Sequence, residues 1–262
     1  MNSKELIEKV FKDYNFTNYP EHYKKTLIDL IDIAQEELKD NLLSITLGGS
    51  GGKNKIIEGW SDLDVYIILE KYDINQISNL EKRLSNNKIH IGLTFYNLYQ
   101  IENDLIDFKT KIMIYEKKNY NVNPTLYGQE YFKDVDYEVV YENDLMNYPQ
   151  VLQNFKRMYI EVLNDNRRID KTYMKKMLVL IKCILSNFEI FAYGYNEVHR
   201  EFYKILYGEE QKFCFEEVLK NLEENEEYII RISSEIIKYT ENTELFKKEN
   251  SYQKIKKLRE AI

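Results

Sequence analysis

The spacing of apolar residues changes once along this chain, and this change constrains the fold more than any other feature. Two amphipathic helices are predicted for residues 2–16 and 20–40, because apolar side chains recur there every three or four positions. The first part of the chain should therefore combine helices with a short mixed sheet. Three strands are predicted, at residues 42–47, 62–69 and 88–96, and one crossover helix is predicted at residues 74–84.

From about residue 148 onward the spacing is helical throughout. Pro124, Gly128 and Pro149 mark the change, so we place a domain boundary near residue 146, between residues 1–145 and 146–262. The predicted fold class is α/β, or α+β, with a short mixed-sheet domain followed by an all-helical domain. Six helices are predicted in the second part, at residues 148–165, 170–193, 196–207, 213–222, 224–240 and 243–260.

Charge and cysteine content narrow the possible functions. The 262 residues carry a formal net charge of −7, which argues against a protein that follows a long nucleic acid and favours a small or cationic substrate. Cys183 and Cys214 lack a C-x-x-C context, so we expect free thiols in a reducing compartment. The charged amino terminus and the absence of a long apolar run predict a cytoplasmic protein with no membrane span.

A glycine-rich loop follows the first predicted strand. It contains Gly48, Gly49 and Ser50, with Lys53 three residues further on. Glycines allow the backbone to approach an anion closely, and a hydroxyl and an ammonium group add donors and charge, so these four residues are candidate nucleotide ligands. Taken alone, the cluster is equally compatible with an ordinary turn, because its spacing fits neither common phosphate-binding motif.

Two aspartates begin the second predicted strand. Residues two apart in a strand share a face, so Asp62 and Asp64 should project side by side while Leu63 and Val65 face a core. Paired carboxylates beside a phosphate-binding loop suit a Mg²⁺-nucleotide site. An isolated pair of this kind is more typical of a half-buried strand with a solvent-facing edge, but its coupling to the preceding glycine loop favours the metal site.

In these residues the sequence resembles the polymerase-β-like nucleotidyltransferases, whose signature is a Gly-Gly/Ser turn followed about ten residues later by Asp-x-Asp. Residues 123–129 and 88–93 more weakly resemble the antibiotic-modifying branch, to which kanamycin nucleotidyltransferase belongs. The resemblance implies transfer of a nucleoside monophosphate from a Mg²⁺-bound triphosphate, ATP or another, to a hydroxyl of a small molecule such as an aminoglycoside or lincosamide, with release of pyrophosphate. It also implies a nucleotidyltransferase domain and a helical substrate-binding domain, with the active cleft between them.

Three further residues are candidates under this resemblance. The family usually places a third carboxylate on the next strand, where this chain has His90, which would be either a metal ligand or an ordinary strand residue. In the antibiotic branch a glutamate of the helical domain is the base. The nearest match is Glu189, either partly desolvated at a helix end or facing water. Lys182, on the preceding helix, is a candidate triphosphate ligand or a surface lysine.

Rival functions stay open at this point. Some relatives in the superfamily nucleotidylate proteins in toxin-antitoxin systems, and others extend RNA ends, which the acidic charge disfavours. A catalytically inactive nucleotide-binding protein is a further possibility, because His90 stands where an acid is expected. The sequence does not predict the oligomeric state.

Overall fold

The computed structural model describes residues 2–192, 194–211, 214–243 and 245, with the backbone alone for Tyr137 and Val140. The chain divides into two compact units, Met1–Asp136 and Tyr137–Ile262. The predicted helix over residues 243–260 lies outside the described residues, apart from Thr243 and Leu245. Within the described ranges, no helix is both long and apolar enough to cross a membrane.

The first unit alternates helices and strands as the apolar spacing predicts. Its first helix begins with a capping box, in which the Asn2 side chain accepts from the Glu5 backbone N–H and Glu5 accepts from the Asn2 backbone N–H. The elements in chain order are α1 (Ser3–Asp13), α2 (Glu21–Leu38), β1 (Leu42–Gly48), α3 (Gly49–Gly52), β2 (Leu63–Leu69), α4 (Ile74–Leu84), β3 (Ile91–Asn97), α5 (Leu98–Glu102), α6 (Phe108–Tyr120) and β4 (Thr125–Gly128).

The four strands form one mixed sheet in the order β3-β2-β1-β4. β1 pairs antiparallel with β2 and β4, whereas β2 and β3 run parallel and are joined through α4. The predicted fold class, with a short mixed sheet before a helical region, is confirmed.

The central strand β2 is buried on both faces. Its odd-numbered residues, from Leu63 to Leu69, join the core formed with α1, α2 and α4. Tyr66 and Ile68 point to the opposite face, where they pack with Tyr96 and with α6 residues such as Met113. Asp64, at the start of the strand, is the one charged residue of β2 and is only half-buried. The sheet is therefore a middle layer between helices, and β2 becomes polar only at its amino-terminal end.

The sequence missed α6, β4 and the short helices α3 and α5. In α6 the apolar residues Ile112, Met113, Ile114 and Tyr115 are consecutive, so they show no helical period, and β4 has only four residues. α6 begins instead with a local signal, because the Asp107 side chain accepts from the Thr110 backbone N–H at 3.0 Å.

Within the described residues, the second unit consists of helices joined by loops. The first of its helices begins well before residue 148 and contains Pro149, and the second ends before residue 193. The core lies between these two, around Phe155, Tyr173 and Ile181. The helices are α7 (Tyr137–Leu163), α8 (Lys171–Asn187), α9 (Tyr195–Tyr207), α10 (Phe215–Lys220) and α11 (Glu226–Asn242).

A buried histidine links three parts of this unit. His199 of α9 hydrogen-bonds through Nδ1 with Gln211 and through Nε2 with the Tyr228 hydroxyl at 2.8 Å, and its ring stacks on Phe215 at 4.1 Å. Burial lowers the pKa of His199 to about 4, against a smaller opposite effect of the hydrogen bond to Gln211.

We predict that this histidine makes the protein less stable in mild acid. The unfolded chain takes up a proton near pH 6.5 and the folded chain only near pH 4, so up to about 3 kcal/mol of stability is lost as pH falls across that window. Urea denaturation should show His199→Gln with a pH slope flatter by about 1.4 kcal/mol per pH unit between pH 4 and 6.5. His22→Gln, a substitution of an exposed histidine, should keep the wild-type slope. If His199→Gln also keeps the wild-type slope, His199 is not the source of the acid sensitivity.

Candidate active site

The glycine loop and Asp64 are in direct contact. Gly48 closes β1 opposite Asp64 of β2, and Gly49 then takes a φ of +59° at the start of α3. A Cβ atom built at Gly49 would lie 2.1 Å from Asp64 Oδ2, so any side chain at this position would displace the carboxylate. The Asp64 carboxylate can therefore occupy this position only because residue 49 has no side chain.

The other side of Asp64 is also lined by glycine. In the parallel pair β2–β3, Asp64 stands opposite Gly92, and a Cβ there would approach Asp64 Oδ1 no closer than 3.7 Å. Asp62 lies just before β2 and is half-buried like Asp64. Two glycines, Gly49 and Gly92, thus lie beside the Asp64 carboxylate, and Gly48 is the residue opposite Asp64 in the β1–β2 pair.

A lysine that sequence reasoning did not single out contacts this carboxylate. Lys109, in the first turn of α6, donates from Nζ to Asp64 Oδ1 at 2.8 Å. The Asp107–Thr110 cap signal would have located the start of this helix. It would not have shown which side chain faces Asp64, because 45 residues separate the two partners.

Lys53, just after the glycine loop, pairs with a buried glutamate of α6. Its Nζ is 2.6 Å from Oε1 of Glu116 on α6, and the two side chains are only 11% and 4% exposed. Asn123 Nδ2 donates to Glu116 Oε2 at 3.3 Å, while the Asn123 backbone N–H donates to the Gly52 carbonyl at 2.6 Å. This buried network ties the end of the glycine loop to α6 and to the segment before β4. A contact of Lys53 with a triphosphate stays a prediction, and it would require Lys53 to leave Glu116.

We predict that this ion pair contributes to the stability of the first unit. Glu116→Gln removes the carboxylate charge 2.6 Å from the buried Lys53 ammonium, which should lower the free energy of unfolding by about 3 kcal/mol. Glu8→Gln is the matched control, because Glu8 pairs with Lys24 at 3.8 Å on the surface and should change stability by less than about 1 kcal/mol. Urea denaturation measures both, and equal effects would show that burial of the Lys53–Glu116 pair is unimportant.

His90 stays a predicted metal ligand for the site of Asp62 and Asp64. It is exposed and precedes β3, and its backbone carbonyl accepts from the Leu63 N–H at 3.0 Å. Among the described residues, no three histidine, cysteine, aspartate or glutamate side chains converge as metal ligands. The predicted alternation around it is confirmed, since Ile89, Ile91, Leu93 and Phe95 pack against the core.

Glu189, the predicted base, has one of the two environments that the sequence left open. α8 ends at Asn187, Glu189 follows with a φ of +60°, and the residue is exposed. It is therefore a residue beyond the helix end that faces water rather than a partly desolvated one.

Lys182 lies on α8 and acts electrostatically on a buried acid. Asp144 of α7 accepts from the Ser186 hydroxyl and from Asn143 Nδ2, and burial raises its pKa while Lys182 lowers it. The roles of Glu189 and Lys182 in a reaction stay predictions.

The fold of the chain, a mixed-sheet unit followed by a helical unit, is also found in a protein of known structure. A solved structure that shares it is a spectinomycin adenyltransferase from Enterococcus faecialis, determined with ATP and spectinomycin. The TM-score is 0.54 at 14% sequence identity, covering 89% of this chain and 96% of that one. No protein-family model and no curated protein sequence matches this chain. The likeness therefore lies in the fold, and the fold implied by the sequence resemblance is confirmed.

Proposed function

We propose that this protein transfers a nucleoside monophosphate, from ATP in the first instance, to a hydroxyl of a small antibiotic and releases pyrophosphate. One observation carries the proposal. Asp62 lies just before an otherwise buried central strand and Asp64 at its amino-terminal end, and Asp64 rests against the Gly48–Gly49 backbone. The fold shared with an adenyltransferase supports placing this chemistry there.

The two carboxylates fit a magnesium ion. Mg²⁺ in proteins is typically held by one or two carboxylates, with substrate phosphates and water completing the octahedron. Asp62 and Asp64 would supply those carboxylates, and the glycine lining leaves room for phosphate oxygens beside Asp64. When bound, the ion would polarise the phosphoryl oxygens and neutralise charge that develops in the transition state.

The protein residues would mainly position the reactants. The backbone at Gly48 and Gly49 and the Ser50 hydroxyl would hold the triphosphate, and Lys182 stays a proposed triphosphate ligand. The acceptor oxygen would bond to the α-phosphorus as the bond to the pyrophosphate oxygen breaks. Glu189 is the proposed recipient of the acceptor proton. Since it is exposed, this base would have to be desolvated by the bound acceptor itself.

A cationic acceptor is favoured. The net charge of −7 attracts molecules that carry several ammonium groups, and the structural neighbour was determined with the small molecule spectinomycin. An aminoglycoside or a lincosamide is therefore the proposed acceptor class, and the cytoplasm is the proposed location of the reaction.

Pyrophosphate release tests this function. The protein is incubated with Mg-ATP or Mg-GTP and a panel of aminoglycosides, spectinomycin and lincosamides, and products are analysed by mass spectrometry. We expect release with at least one acceptor, together with an adduct that has gained one nucleoside monophosphate. Labelling of lysate proteins without labelling of any antibiotic would instead identify a protein-nucleotidylating enzyme.

A second candidate is an inactive nucleotide-binding relative. It is favoured by β3, where the residues Ile91–Asn97 include no acidic side chain. Calorimetry with Mg-ATP separates the two, because binding without any pyrophosphate release across the panel would support the inactive protein.

A further inference from the structure

The two oxygens of the Asp64 carboxylate have different neighbours. Oδ2 faces the Gly49 backbone, where a Cβ would stand at 2.1 Å, and Oδ1 accepts from Lys109 Nζ at 2.8 Å. Oδ1 is also the oxygen that faces Gly92 across the strand pair. The oxygen that points away from the Gly49 backbone is thus the one paired with an ammonium group.

The backbone that carries Lys109 is anchored by hydrogen bonds, whereas most of its side chain is exposed to solvent. Asp107 accepts from the Thr110 backbone N–H at 3.0 Å, from the Thr110 hydroxyl at 3.1 Å and from the Tyr96 hydroxyl. Thr110 is fully buried and Tyr96 belongs to β3, so the start of α6 is anchored to the sheet. The Lys109 side chain is 68% exposed. It can therefore change partner by rotation of its own bonds, with α6 in place.

We propose that Lys109 is a further nucleotide-binding residue, which neutralises Asp64 in the free protein and moves to the phosphate oxygens when a magnesium nucleotide binds. This inference rests on the proposed function. A divalent cation at Oδ1 would stand within a few ångströms of the ammonium group, and the two positive charges would repel each other. The triphosphate arrives with the cation and offers new acceptors for the same ammonium group.

The proposal predicts opposite effects on two ligands. Without nucleotide, Lys109 competes with a divalent cation for Asp64, so Lys109→Met should bind Mn²⁺ alone roughly 2- to 5-fold more tightly. With nucleotide, the same variant loses a charged hydrogen bond to phosphate, so its affinity for Mg-ATP should fall roughly 10-fold or more. A lysine that merely covers the surface would change neither affinity.

The experiment uses the full chain and needs no catalysis. Mn²⁺ binding is measured by electron paramagnetic resonance, and Mg-ATP binding by calorimetry without acceptor. Lys111→Met is the matched control, because Lys111 lies on the same helix and pairs with Asp104 at 2.6 Å. This control should match the wild type in both assays. Lys109→Arg should keep most of the Mg-ATP affinity, since it retains the charge.

The outcomes separate this inference from the proposed function. Tighter Mn²⁺ binding combined with weaker Mg-ATP binding supports it. Unchanged Mg-ATP affinity in Lys109→Met, while the wild type binds, overturns the role of Lys109 alone, and so does a loss equal to that of Lys111→Met. A wild type that binds no nucleotide overturns both proposals together.

Discussion

Asp64→Asn is expected to lower the rate of nucleotidyl transfer by roughly 10²- to 10³-fold, the largest effect of any single change in this protein. The amide keeps the shape of the side chain but removes the charge that would hold Mg²⁺, and the ion provides several kcal/mol of transition-state stabilisation. Asp64 is half-buried and its partner Lys109 is exposed, so the free energy of unfolding should change by less than about 1 kcal/mol.

The measurement is the initial rate of pyrophosphate release with the acceptor identified from the panel, with urea denaturation in parallel. Asp104→Asn is the control, because it removes another carboxylate that pairs with a lysine of α6, outside the candidate site. It should retain wild-type activity. Full activity in Asp64→Asn would remove Asp64 as a metal ligand and with it the proposed site.

Gly49→Ala is expected to reduce activity roughly 10²-fold through geometry rather than charge. An alanine Cβ at residue 49 would lie 2.1 Å from Asp64 Oδ2, so the carboxylate or the loop must move. Displacement of a reacting group by about 1 Å is enough for a loss of this size. The positive φ of +59° adds a cost of about 1–2 kcal/mol in stability.

Gly59→Ala separates the two contributions. Gly59 also has a positive φ, +74°, but a Cβ there would meet nothing within 4 Å. Both variants should lose similar stability in urea denaturation, while only Gly49→Ala should lose kcat/KM. If both lose activity equally, general loosening of the fold explains the result and the contact with Asp64 does not.

Much of the fold could be predicted because local spacing encodes it. Alternating apolar residues put Asp62 and Asp64 at the start of a strand, and the glycines end the strand before it. The capping box that begins α1, formed by Asn2 and Glu5, is likewise a local feature of the sequence. These features depend on neighbours within a few positions along the chain, which is the range over which helical and strand periods operate.

The surroundings of the site came from tertiary structure. The sequence offered Lys53 as a candidate nucleotide ligand but did not predict its ion pair with Glu116, which lies 63 residues away. It did not single out Lys109, and it left open whether Glu189 is partly desolvated or faces water, as the exposed residue does. A long charged side chain has several partners within reach, and the packing of α6 against the sheet selects among them. The sequence by itself determined that two carboxylates would follow a glycine loop at the start of a buried strand. Only the folded chain decided which cation faces Asp64, because that choice depends on contacts between segments far apart in sequence.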